Sequence, residues 1–176
     1  MQSPRYIRSL HVLALLTAAA TFPLIFMGGL VTSHRAGMSV PDWPNSYGYN
    51  MFLFPPRLWI GGILYEHTHR LMGTVVGMLS LVLAVWAWRV EPRRWVRWLA
   101  ASVLLGVILQ GVLGGLRVVL VKLNLAIVHA CIAQAFLGLA ALIAVVTSRW
   151  WIEGKVLSST PHSCLLYTSP SPRDTR

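Results

Sequence analysis

The chain has 176 residues, of which 56% are hydrophobic and 11% charged, and its formal net charge is +10. Soluble domains carry about 25% charged residues, so this composition excludes an ordinary soluble domain and points to the membrane. The basic residues do not gather on one polar segment, which argues against nucleic acid as a partner.

Residues 1–9 form a short basic N-terminus with Arg5 and Arg8. The apolar run at 10–31 reaches the small residues TAAAT at 17–21 and, with the basic N-terminus before it, could pass for a signal peptide. It continues through PLIFMGGLV, past the roughly 7–15 residues of a signal h-region, so it reads as an uncleaved spanning helix. A long connection follows at 32–64, broken by Pro41, Pro44, Pro55 and Pro56. Its aromatics (Trp43, Tyr47, Tyr49, Phe52, Phe54, Trp59) suit a membrane interface, and the segment reads as an ordered lid with a short interfacial helix. Further apolar runs occupy 71–88, 98–116 and 123–146. Each of the four runs is near the ~20 residues a helix needs to cross a bilayer. None alternates in the manner of a barrel strand.

The charges sort by connection. Arg5 and Arg8 precede the first run; Arg89, Arg93, Arg94 and Arg97 fill the link between the second and third; Arg149 and Lys155 follow the fourth. Positive charge favours the cytoplasmic side, so both termini are expected there and the loop 32–64 outside. The expected fold class is all-α integral membrane, an antiparallel four-helix transmembrane bundle over residues 10–149, with a cytoplasmic segment at 150–163. Cys131, in the fourth run, reads as an ordinary small core residue. Residues 164–174, CLLYTSPSPRD, match the translation of a transposon-based sequencing adaptor, so 164–176 are set aside as an artefact. His162 and Cys164 then carry no functional weight, and the natural protein is expected to continue further.

The chemistry concentrates in YEHTHR, residues 65–70, at the start of the second run. Ionisable groups near hydrocarbon are expensive and mark functional sites. Glu66 and His69, at i and i+3, share one helix face, with Gly73 and Gly77 below His69. His67 points away and, with Arg70, is assigned to the interface; the plain alternative for Glu66 is an i,i+4 ion pair with Arg70. His129 stands roughly 9 Å into the fourth helix at 1.5 Å per residue, among Ala126, Ala130 and Ala133. The second and fourth helices run in the same direction, so His69 and His129 fall in the same part of the bundle. Facing histidines on small-residue faces suit the axial positions of a haem. No cysteine or further carboxylate near His129 favours zinc. On the third helix Gln110, Gly114 and Arg117 share a face, where Arg117 either grips a carboxylate such as a haem propionate or snorkels to the interface.

Together GGLVTSHRAGMSVPDWP, YEHTHRLMGTVVG, LQGVLGGLRV and LAIVHACIAQAF resemble the haem A synthase family. The resemblance spans residues ~10 to 147. It implies a multi-pass enzyme of the bacterial cytoplasmic membrane that oxidises the C8 methyl of haem O to the formyl of haem A for cytochrome oxidase assembly. The family has eight spanning helices in two halves, each with a histidine pair; this chain resembles the N-terminal half. The resemblance makes His69 and His129 the iron ligands of the reacting haem and Glu66 the catalytic carboxylate, with Gln110 and Arg117 lining the haem site. It places a haem b in the other half. Haem O, membrane lipid, haem O synthase and cytochrome oxidase assembly factors are the implied partners. Some members carry a cysteine pair flanking the PDWP segment; Val40 and Ser46 stand there instead, so no redox role of that pair carries over. The competing readings are a bis-histidine b-type electron carrier and a structural subunit without cofactor.

Overall fold

A computed structural model describes residues 5–121 and 123–158. Four helices are long and apolar enough to cross a membrane: α1 (Arg8–Ser33), α2 (Gly62–Val90), α3 (Arg94–Val119) and α4 (Leu123–Val146). A short α5 (Arg149–Ser158) follows within the segment expected to be cytoplasmic. The stretch 164–176 lies outside the described residues. The helices outrun the apolar stretches, most of all α2. It begins at Gly62, whose cap Gly61 sits at φ 55° and ψ −129°, a conformation that glycine reaches without a Cβ penalty. YEHTHR is therefore fully helical, inside α2 and not at its mouth.

Each helix packs on two neighbours. α1 lies against α2 and α4, and α3 lies against the same two, so α2 and α4 oppose each other across the diagonal. The apolar core fills the half of the bundle away from the long loop. Leu10 and Ala14 of α1 meet Val76, Leu83 and Ala87 of α2, Ala100 and Val103 of α3, and Phe136 and Ile143 of α4. Buried hydroxyls in this half bond backwards within their own helices: Thr17 donates to the Leu13 carbonyl at 2.9 Å, Thr21 to Thr17 at 2.7 Å and Ser80 to Val76 at 2.8 Å. They add no polar demand between helices. The outward surface is apolar, with Phe22, Phe26 and Leu105 exposed as a lipid-facing wall requires. Cys131 is exposed on this surface and is not the core residue its sequence context suggested.

The loop between α1 and α2 folds back over its end of the bundle. Its helical content is two 3₁₀ turns, Met51–Leu53 and Pro56–Leu58. Phe52 and Leu53 project outward while Phe54 is buried. At the opposite end, Glu91 is buried and Arg93 chelates it, Nε to Oε1 at 2.7 Å and Nη2 to Oε2 at 2.9 Å. Arg93 Nη1 also donates to the Val146 carbonyl at 3.0 Å, capping the end of α4. This one guanidinium joins the α2–α3 link to α4. Arg93→Ala leaves the Glu91 carboxylate buried and unpaired, and a loss of about 3 kcal/mol is expected. Thermal unfolding in detergent checks this, with Arg149→Ala as control: that ion pair is 71% and 53% exposed, and its loss should leave the melting temperature in place.

Candidate functional site

The polar site occupies the half of the bundle nearer the loop, where the apolar core ends. α2 presents His69 on the same stripe as Val76, Leu83 and Ala87, and α4 presents His129 on the stripe of Phe136, Ala140 and Ile143. The two imidazoles face each other across the diagonal, with centroids 6.5 Å apart and planes at 83°. No hydrogen bond joins them. His69 Nδ1 lies 3.2 Å from the Leu24 carbonyl of α1. A carbonyl only accepts, so Nδ1 carries the proton and the lone pair resides on Nε2. Nδ1 of His129 is buried without a hydrogen-bond partner.

The other diagonal supplies the seats. A Cβ on Gly28 of α1 would stand 3.1 Å from His69 Cε1, and a Cβ on Gly114 of α3 would stand 3.4 Å from His129 Cε1. These glycines, not Gly73 and Gly77, are the ones that touch the rings. Gly73 and Gly77 have nothing within 4 Å of where a Cβ would be, so open space remains beside α2 below His69. Gln110 donates from Nε2 to the His129 carbonyl at 3.2 Å, and its Oε1 is buried without a partner.

Glu66 is buried, and both its oxygens are engaged. Oε2 accepts from the Val40 N–H at 2.9 Å and Oε1 from Arg70 Nη2 at 3.0 Å. The i,i+4 pair anticipated as the plain alternative is thus formed, 3% and 9% exposed. Arg70 does more than pair. It donates to the carbonyls of Val40 at 2.8 Å, Asp42 at 2.7 Å and Asn45 at 3.0 Å, so it latches the loop onto α2. Its assignment to the interface is corrected: the loop covers it. The same holds for His67, which is fully buried, packs against Phe54 and Trp59 and meets the Ser46 hydroxyl at 3.2 Å from Nδ1. Arg117 reaches the loop as well, donating to the Gly37 carbonyl at 3.3 Å. The Trp43 ring rests on Gly115 so closely that a Cβ there would collide.

The loop residues that do this have a local logic. Tyr47 and Gly48 both take positive φ, 52° and 77°, closing a tight turn between the bridged Ser46 and Tyr49. Asp42 holds that turn, Oδ1 accepting from the Tyr47 N–H at 2.7 Å and Oδ2 from the Gly48 N–H at 2.8 Å. Partial burial pushes the Asp42 carboxyl up, but those N–H donors and the nearby Arg70 charge outweigh it, and its pKa lies below the ordinary 3.8.

The donor set fits a planar tetrapyrrole. Such a group brings its own in-plane nitrogens and asks the protein for axial imidazoles and flat space. Two facing imidazoles, one with its Nε2 lone pair free, a stranded His129 Nδ1 and glycine-lined space meet that demand. Among the described residues no group of three His, Cys, Asp or Glu side chains is placed to hold a metal ion.

Residues 62–164, which carry His69, His129, Glu66, Gln110 and Arg117, match the pattern of the cytochrome oxidase assembly protein family, COX15-CtaA. The chain belongs to this family. Its curated relatives are haem A synthases. Over 114 residues, or 64% of this chain, it is 32% identical to those of Shouchella clausii and Halalkalibacterium halodurans and 31% identical to that of Geobacillus kaustophilus. Those residues cover 36%, 37% and 35% of the respective proteins, so the chain spans little more than a third of their length. No solved structure gives a significant match.

Two consequences of this family site can be measured. Gly28→Ala puts a Cβ 3.1 Å from His69 Cε1, so the ring must give by a few tenths of an ångström and its bond to the Leu24 carbonyl should weaken, at a cost of about 1 kcal/mol. Gly29→Ala meets nothing within 4 Å and should be silent. The ¹⁵N shifts of His69 report its tautomer, and the share protonated at Nδ1 should fall in the first variant but not the second. For Asp42 the folded pKa is depressed, so its contribution is present above the unfolded value of 3.8 and is lost as pH falls through the lower folded value. Slow hydrogen exchange at the Tyr47 and Gly48 amides should therefore persist at pH 5 and collapse once the pH falls through the depressed folded value, whereas Asp42→Asn should weaken the protection already at pH 5.

Proposed function

We propose that this chain is the first half of a haem A synthase, with haem O as substrate, and that its His69 and His129 hold the reacting haem. The observation that carries the reading is the imidazole pair, opposed across α2 and α4 at 6.5 Å with His69 Nδ1 donating to Leu24. A carbonyl acceptor on Nδ1 is the usual partner of a metal-binding imidazole, since it fixes the ring and the tautomer. The haem iron would supply the redox chemistry. Written with water as oxygen source, the overall change is R–CH3 + H2O → R–CHO + 4 H⁺ + 4 e⁻, so positive charge must be tolerated and protons removed near the reacting carbon. The electrons pass to an acceptor outside these residues.

Within this reading each residue has a task. Glu66 stands one turn from His69 and accepts from N–H donors on both oxygens, as an ionised carboxylate does. Held there, out of water, it stabilises positive charge developing at the substrate periphery. Gln110 steadies the backbone of His129. Arg117, at the end of α3 beneath the loop, is placed to bind a propionate carboxylate, and releasing the single 3.3 Å bond to Gly37 would be a small cost. The loop excludes water from the reacting face. Positive residues at the far end of the bundle support a cytoplasmic N-terminus in a bacterial inner membrane. The chain covers little more than a third of its relatives' length, which supports a second half in this reading, and that half would carry a haem b of its own.

The test is haem extraction from cells that make haem O and express the uninterrupted protein. Wild type should accumulate haem A. Glu66→Gln should keep the haem absorbance while lowering haem A at least tenfold, and His69→Ala or His129→Ala should lose the bound substrate. Bound haem without haem A in the wild type would make the protein an electron-carrying cytochrome. Unchanged haem A in Glu66→Gln would remove the assigned role of the carboxylate.

A further inference from the structure

Away from the loop, on the lipid-facing surface between α1 and α2, lies a groove of about 740 Å³ that the haem reading does not use. Val12 and Leu16 of α1 and Val82 of α2 form its apolar walls, with Arg8 at its mouth. Trp86 closes one side, its indole N–H donating to the Ser9 hydroxyl at 3.1 Å, so the ring is fixed as part of the wall. Arg8 has no ion-pair or hydrogen-bond partner among the described residues, although a guanidinium carries five donors. It is the first residue of α1. The cap residue Ile7 gives no side-chain hydrogen bond and the first turn contains no acid, so the free N–H groups of that turn face the same end. The groove therefore combines an apolar channel, a bare guanidinium and an uncapped helix start, and its lining contains no carboxylate.

We propose that this groove is a binding site for anionic phospholipid, with one acyl chain along Val12, Leu16 and Val82 and the headgroup phosphate on Arg8 and the first N–H groups of α1. Each element matches a part of that ligand. Phosphate binds guanidinium in a planar fork and sits well at a helix N-terminus. An interfacial tryptophan stands at the level of headgroups, with its polar edge toward them. In the orientation proposed above, this end faces the leaflet rich in anionic lipid. The site itself rests only on the groove and its charge, and it stands whether or not the bundle holds haem.

Fluorescence quenching in vesicles tests it. The protein is reconstituted in phosphatidylcholine doped with brominated phosphatidylglycerol or brominated phosphatidylcholine, and the difference between wild type and Trp86→Phe isolates the Trp86 signal. Brominated phosphatidylglycerol should quench Trp86 at a roughly fivefold lower mole fraction than the zwitterionic lipid, the preference expected of one basic side chain near the surface. Arg8→Gln should make the two lipids equal, and Arg8→Lys should retain most of the preference. Arg89→Gln, basic and at the same end of α2 but outside the groove, should leave it intact. Equal quenching by both lipids in the wild type overturns the proposal. So does an Arg89→Gln effect as large as that of Arg8→Gln, because the preference would then come from the general positive field. Loss of bilayer insertion in Arg8→Gln shows as lost quenching by both lipids, in which case the Lys and Arg89 variants decide.

Discussion

The arrangement of the loop-side half depends on one guanidinium. Arg70 donates to three loop carbonyls and to Glu66. An arginine and a glutamate in the first turns of a spanning helix would be costly if lipid or an empty cavity faced them. Here each is satisfied, because the loop brings its own carbonyls and the Val40 N–H to meet them. The energetic demand runs both ways. The loop carbonyls of Val40, Asp42 and Asn45 need donors, and α2 supplies them from a single side chain. Removing either partner would strand a buried charge, which is why the pair and the loop conformation form one unit.

From that unit the burial of the other groups follows. With residues 40–45 fixed, Phe54 and Trp59 come down over His67, and Trp43 comes to rest on Gly115. His67 lies on the side of α2 away from the core stripe, so without the loop it would face lipid or water. The loop buries the Glu66 and His67 face at its end of α2, while Leu64 stays exposed. The far end of the bundle repeats the device on a smaller scale, with Arg93 pairing buried Glu91 and bonding the Val146 carbonyl. In the apolar core between these ends, Thr21 and Ser80 donate within their own helices, and the contacts are Leu, Val, Ile, Ala and Phe.

The number and order of the spanning helices and the level of the two histidines were legible from hydropathy and the 3.6-residue period, while α5 was not. Those signals depend only on each helix and its solvent. What the period could not reveal was which neighbour touches which face. Gly73 and Gly77 lie on the same side of α2 as His69, yet they line open space, while Gly28 of α1 and Gly114 of α3 meet the rings. A helical wheel locates a face and leaves the facing element unknown. The same blindness sent His67 and Arg70 to the interface: both point away from the core stripe, and only a loop from elsewhere in the chain buries them. The PDWPNSYG segment offered one clue to its fold in Gly48, the residue that tolerates positive φ in a tight turn, but the acceptor role of Asp42 spans five and six residues and has no periodic signature. Cys131 misled for a related reason, since in a membrane an apolar position is as much at home facing lipid as facing the core.

α3 is the element that connects the loop to the histidine pair. Within two turns it seats the His129 ring on Gly114, holds the His129 carbonyl through Gln110, carries Trp43 on Gly115 and binds the Gly37 carbonyl through Arg117. The spacing is dictated by the helix: residues 110, 114 and 117 fall on one stripe, and 115 falls beside it toward the loop. A small rotation of α3 would shift all four contacts together. The seat of the His129 ring and the docking of the loop above it are therefore built on the same two turns of one helix.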